Sequence, residues 1–134
     1  NMTIERRAIN PVTWSLELGF NQGEVVSHPS RTLYISGQTS MSAEGHPLHD
    51  GDIAAQLARS IDNLEAVLTE AGMTLTDLIR LNVYTTDVDA LFAHYGTLAA
   101  RLGAAGVAPT TTMLEVSRLA VPGQLVELEG TAVA

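Results

Sequence analysis

Between Ala108 and Ala134 the chain reads APTTTMLEVSRLAVPGQLVELEGTAVA, and an alternation with a period of two residues runs through both halves of it. Successive side chains of a strand leave opposite faces of a sheet, so such a stretch commits the chain to a half-buried sheet. In the first half Leu114 and Val116 fall on one side, and Thr111, Met113 and Glu115 on the other. In the second half Val126 and Leu128 share a side, opposed by Glu127 and Glu129. With Val121-Pro122-Gly123-Gln124 between them, the two halves predict a hairpin whose Leu/Val face is a core face. The other face mixes apolar, hydroxyl and carboxylate groups. That mixture predicts a covered but polar surface, such as a subunit interface with a site in it.

The remainder of the chain supplies what such a sheet packs against. From Asp52 to Ala71 the period becomes helical, with Ile53, Leu57, Ile61, Leu64, Leu68 and Ala71 on one stripe and Gly72 just past the end. The opposite face, with Arg59, Asp62, Asn63, Glu65, Thr69 and Glu70, reads as solvated. A second helix is expected from Asp87 or Asp89 to Leu102, with a stripe through Val88, Leu91, Phe92, Tyr95, Leu98, Ala99 and Leu102, closed by Gly103. His94 beside that stripe reads as a structural group. Leu78 to Thr86 is strand-like in its branched and aromatic content. Upstream, Thr3–Ile9 and Ser15–Phe20 read as strands around Asn10-Pro11, and Glu24–Ser27 with Arg31–Gly37 as a hairpin around His28-Pro29-Ser30. Trp14, the only tryptophan, is either a core or interface aromatic or a wall for a stacked ligand. Gly37 either ends its strand or lets another backbone or a ligand come close. The order is strands, helix, strand, helix, then the terminal pair. It predicts one α+β domain over 1–134, with two helices on one face of a mainly antiparallel sheet. The uncovered face argues for self-association.

Composition prunes the chemistry. At 134 residues, 46% hydrophobic and 16% charged, the chain can bury a core without staples. Its formal charge of -8, with arginines scattered along the chain, disfavours nucleic acid. The residues after Met2 contain no continuous apolar run, so neither a secretory signal nor a membrane span is expected, and a cytoplasmic address follows by default. There is no cysteine for a thiolate and no lysine for a Schiff base, which leaves carboxylates, hydroxyls, histidine, arginine, backbone groups and water. In the polar loop Thr39–Gly51, His46 and His49 have the spacing of a metal pair but lack an evident third ligand, so no metal is expected.

Four segments together resemble the RidA (YjgF/YER057c/UK114) family across nearly the whole chain. They are YISGQ (Tyr34–Gln38), QLARSIDNLEAVLTEAGM (Gln56–Met73), LNVYTTDVDAL (Leu81–Leu91), and APTTTMLEVSRL followed by VELEGTAVA. The resemblance implies a chorismate-mutase-like α+β fold and a homotrimer with a central barrel. It also implies clefts between subunits that hydrolyse small imines or enamines, such as 2-aminoacrylate, without cofactor or metal. Carried over by position, Ser36 and Gly37 would line the cleft, and Glu127, first of the terminal E-x-E pattern, would handle the attacking water. Trp14, Tyr95 and Met113 fall at or near further cleft positions. One position departs from the pattern. Active deaminases carry arginine two residues after the proline, as in P-A-R-S, to grip a substrate carboxylate, whereas Pro109-Thr110-Thr111-Thr112 places Thr111 there. Losing a charge-assisted anchor costs on the order of 2–4 kcal/mol. Arg118 matches an arginine that such members already have and reads as part of a structural ion pair; Arg31 or Arg80 of a neighbouring subunit would have to reach the cleft instead.

Two readings follow. One is a Rid-type hydrolase for an imine or enamine other than 2-aminoacrylate, with Glu127 catalytic and Trp14, Ser36, Gly37, Tyr95, Thr111 and Met113 binding the substrate. The other is a non-catalytic small-molecule-binding or regulatory trimer. A ribonuclease fits the acidic charge least.

Overall fold

The computed structural model describes residues 2–134. In chain order the elements are β1 (Glu5–Ile9), β2 (Gly23–Ser27), β3 (Thr32–Gln38), α1 (Ile53–Glu70), β4 (Leu78–Thr85), α2 (Val88–Ala104), β5 (Thr110–Glu115) and β6 (Val126–Val133). Short 3-10 turns occupy Trp14–Leu18 and Leu75–Asp77. β1 and β2 form a small antiparallel ribbon, and the main sheet has the order β3-β6-β4-β5.

Both helices begin where an aspartate accepts a hydrogen bond from the first turn: Asp52 from the Ala55 N–H (3.1 Å) and Asp87 from the Ala90 N–H (3.0 Å). The α1 stripe is buried as its period predicts, with Leu57, Ile61, Leu64 and Leu68 at most 1% exposed. These side chains meet Leu91, Leu98 and Leu102 of α2 and Leu81, Val83, Val126 and Leu128 of the sheet in one core. α2 runs through Gly103, which was expected to close it, and stops at Ala104; Gly106, at φ +68°, makes the left-handed turn past its end. Phe92, expected in the buried stripe, stands 59% exposed.

The terminal stretch contains two strands, but they do not form a hairpin. β4 lies between them, antiparallel to β6 and parallel to β5. A parallel neighbour needs a crossover, which α2 provides between β4 and β5. The chain from Val116 to Leu125 then returns across β4's end to start β6, with Thr86 N–H donating to the Leu125 carbonyl (3.1 Å). The register also reverses the faces expected of β5. Val83 pairs with both Met113 and Leu128, which places Met113 on the core side, whereas Tyr84 pairs with both Leu114 and Glu127, which places Leu114 on the open side. Leu114 is accordingly 50% exposed.

Two upstream expectations also change. Ser15–Phe20 is not a strand: the Leu16 N–H bonds back to the Thr13 carbonyl (3.1 Å), and Gly19 at φ +85° closes a 3-10 turn whose Leu16 and Leu18 are exposed. β2 and β3 are not partners, because β2 pairs with β1 and β3 with β6. His28 at φ +58° turns the chain, and the Ser30 and Arg31 N–H groups are then held by the Ala134 carbonyl (2.8 and 3.0 Å) at the end of β6.

The loop 39–51 is fastened rather than loose. Gln124 is 3% exposed; its Oε1 accepts from Ser40 N–H (2.9 Å) and its Nε2 donates to the Ser40 and Leu48 carbonyls (3.2 and 3.3 Å). From α1, the buried Gln56 donates to the His49 and Gly123 carbonyls (2.9 and 2.8 Å) and accepts from Leu125 N–H (2.7 Å). Asn63, expected to be solvated, donates to the carbonyls of Thr39 and Met41 (2.9 and 3.1 Å).

Candidate functional site

The sheet separates the residues expected to form the site into two groups. Glu127 lies on the open face of β6 beside the end of β3. A Cβ built on Gly37 would overlap the Glu127 carboxylate, coming within 2.7 Å of its Cδ, so only a glycine lets this side chain lie flat against β3. The close approach read from Gly37 is thus to a carboxylate of the same chain. Glu129, two residues on, shares the open face; its Oε1 accepts from the Tyr84 hydroxyl and from Asn82 Nδ2 (2.9 Å). These donors hold the Glu129 carboxyl below the ordinary carboxylate range, Tyr84 being the stronger influence. Glu127 moves the other way: partial burial, reinforced by the negative charge of Glu129, raises its proton affinity. Ser36 lines a shallow depression of about 320 Å³ on the same face with Tyr34, Asn82, Glu129 and Thr131.

Thr111, Met113 and Tyr95 converge on the helix side of β5. There Phe20 and Leu18, from the end of the 3-10 turn, and Phe92 and Gly96 of α2 complete a cavity of about 420 Å³. The walls are apolar apart from two hydroxyls. Thr111 Oγ1 donates to the Pro109 carbonyl (2.7 Å), and the Tyr95 hydroxyl donates to the Leu18 carbonyl over a long 3.4 Å. Burial raises the Tyr95 pKa. Trp14 stands beside Phe20, ring centroids 5.9 Å apart and nearly perpendicular, and is 60% exposed, so it is a rim aromatic and not a core one. Sequence reasoning missed Leu18, Phe20, Phe92 and Gly96. Leu18 and Phe20 alternate as the residues of a strand would, and Phe92 falls in register with the buried stripe of α2, so neither pattern signals a cavity wall.

No arginine lines this cavity. Among the described residues the ion pairs are those of Arg6 with Glu24 and of Arg101 with Asp62 and Glu65. Arg118, expected in such a pair, is exposed and takes part in none of them. Arg80 donates to Thr112 Oγ1 (2.7 Å), and Arg31 to the Ala71 carbonyl (3.0 Å). His49 shares a hydrogen bond with Ser40 Oγ (2.8 Å), His46 is exposed, and among the described residues no group of three His, Asp or Glu converges. A larger, shallower hollow of about 590 Å³ lies near Glu65, Thr74 and Ala104, but its one cation, Arg101, is already committed to Asp62 and Glu65. No helix among the described residues is long and apolar enough to cross a membrane.

A mixed sheet with two helices on one face and a bare opposite face agrees with the chorismate-mutase-like α+β fold that the family resemblance implies. The sequence pattern of the family described as Endoribonuclease L-PSP matches residues 17–134. A Rid-family protein of unknown function from Yersinia pestis, YyfB, has a crystal structure similar to this chain, with 34% identity and a TM-score of 0.84 over 96% of this chain and 98% of that one. A RutC family protein of Pyrococcus abyssi is 31% identical over 75% of this chain and 76% of its own length. A rat 2-iminobutanoate/2-iminopropanoate deaminase is 29% identical over 69% and 74%. The chain belongs to the RidA (YjgF/YER057c/UK114) family.

Proposed function

We propose that the protein is a cofactor-independent hydrolase of a small imine or enamine, working in clefts between the subunits of a homotrimer. The observation that carries this reading is the Glu127 carboxylate, pressed against Gly37 on the bare face of the sheet and held at a raised proton affinity by burial and by Glu129. A carboxylate so placed is a stronger base than a solvated one and is suited to take a proton from an attacking water. The reaction consumes one imine and one water and yields one carbonyl compound and one ammonia. Ionised Glu127 accepts a water proton as the oxygen attacks the imine carbon. The C=N electron pair moves to nitrogen. Glu127 then returns the proton to nitrogen to give the carbinolamine, takes the hydroxyl proton, and passes it to the amine as the C–N bond breaks, leaving the carbonyl compound and ammonia.

Glu127, Gly37 and Ser36 stand on one face of the sheet, whereas Thr111, Met113 and Tyr95 stand on the other, with β4 between β6 and β5. One chain cannot bring the two groups around one substrate. A neighbouring copy that sets its β5 edge near β3 and β6 of the first would do so, which favours assembly through the open face.

The test is ammonia release from imines generated in situ by amine and amino-acid oxidases, 2-iminopropanoate included. The expected outcome is acceleration over buffer that falls about 100-fold or more in Glu127→Gln. An unchanged rate in that variant would remove the mechanism. Binding of a small molecule with no acceleration of any imine would leave the second reading, a non-catalytic binding trimer, which Thr111 in place of a cationic anchor favours. The ribonuclease activity in the family's description is opposed by the charge of -8 and the dispersed arginines.

A further inference from the structure

The half of the cleft built by β5, α2 and the 3-10 turn carries chemistry of its own. Two aromatic pairs flank it, Trp14 with Phe20 (5.9 Å) and Phe92 with Tyr95 (6.3 Å), and Met113 and Leu18 fill in between. Trp14, Leu18 and Phe92 remain 60%, 53% and 59% exposed, apolar surface that the single chain leaves more than half uncovered. The volume, about 420 Å³, is of the size that small-molecule sites occupy.

Nothing in this half neutralises an anion. The chain has no lysine. Arg6 and Arg101 are paired with Glu24 and with Asp62 and Glu65; Arg80, Arg31 and Arg59 donate to the Thr112 hydroxyl and to the carbonyls of Ala71 and Met41; none of the five lines the cavity. Arg7, on β1, and Arg118, beyond the end of β5, are exposed and do not line the cavity. The overall charge of -8 further opposes an anion's approach. What the walls do offer is hydrogen bonding to a neutral group. Thr111 Oγ1 spends its proton on Pro109 and presents lone pairs to an N–H, while the Tyr95 hydroxyl, held by Leu18 only at 3.4 Å, can turn to donate.

We propose that the substrate of this site is an uncharged imine bearing an aromatic or branched aliphatic group, of the kind formed when a primary amine, rather than an amino acid, is oxidised. This rests on the imine-hydrolase reading above. The aromatic walls take the side group, Thr111 accepts from the imine N–H, and a carboxylate on the same carbon would enter an apolar pocket unpaired.

The test compares substrates that differ only in that carboxylate: the imine from 2-phenylethylamine and the imine from phenylalanine, each generated by its oxidase and followed by ammonia release. We expect kcat/KM to favour the uncharged imine by about tenfold or more. Binding is measured separately through Trp14, the only tryptophan, by titrating its fluorescence with phenylacetamide and with phenylacetate. The amide saturates the signal at a concentration at least about tenfold lower than the anion. In Gly96→Leu the new side chain starts in open space, with no heavy atom beyond its chain neighbours and the backbone of its own helix within 4 Å of its Cβ, and replaces a helix glycine by a better helix former. It folds, and it loses both the titration and turnover of the uncharged imine. Equal or better handling of the carboxylated imine, tighter binding of phenylacetate, or unimpaired amide binding in Gly96→Leu overturns the proposal. Amide binding with neither imine hydrolysed upholds the ligand class and removes the hydrolytic reading instead.

Discussion

Glu127 and Glu129 are two residues apart on one face of β6, and their surroundings push their proton affinities in opposite directions. Tyr84 and Asn82 keep Glu129 ionised, and the charge so fixed adds to the burial that makes Glu127 the stronger base. In the proposed mechanism water activation requires ionised Glu127, so activity is expected to fall as the pH drops through a pKa above the usual carboxylate value. Glu129→Gln removes the negative neighbour, lowers that pKa, and moves the acidic limb of the pH–rate profile to lower pH. A limb that stays in place would mean that Glu127 does not set it. Glu127 was singled out by the family resemblance, as the first glutamate of the terminal E-x-E pattern. Its contact with Gly37 was not, because the two lie ninety positions apart, and only the β3–β6 pairing, with its irregularity between Ile35 and Gln38, brings them together.

Among the elements, those with a strong period were legible and those without one were not. The α1 stripe fixes both the helix and its buried face, and in β4 Leu81 and Val83 alternate with Asn82 and Tyr84 as a half-buried strand should. β5 defeats such reading, because Met113 and Leu114 are adjacent and both apolar, and the pattern cannot say which faces the core. Nor does a Pro-Gly turn say whether the strands around it pair with each other. The turn here is held by glutamines instead, Gln124 and Gln56 binding the loop 39–51 to the start of β6. Gln124→Leu keeps the volume roughly but leaves the Ser40 N–H and the Ser40 and Leu48 carbonyls without these partners. It is expected to cost on the order of 2–4 kcal/mol in denaturant unfolding and to speed hydrogen exchange at Ser40. A midpoint within error of wild type would show that water takes over those bonds.

At the scale of the molecule, the bare sheet face and the exposed Trp14, Leu16, Leu18, Tyr34 and Leu114 are the apolar surface that the proposed trimer would cover. Sedimentation equilibrium is expected to give three times the mass of one chain, and a monomer at assay concentrations would dismantle the composite cleft. The placement of Glu127 and Thr111 on opposite faces of one sheet has a genetic corollary. A variant crippled at Glu127 and another blocked at Gly96 each retain the half that the other lacks, so co-expressed from two alleles they should complement. With random mixing in a ring of three, about a quarter of the clefts would draw both intact halves from different parents. Two dead proteins would together yield a living enzyme.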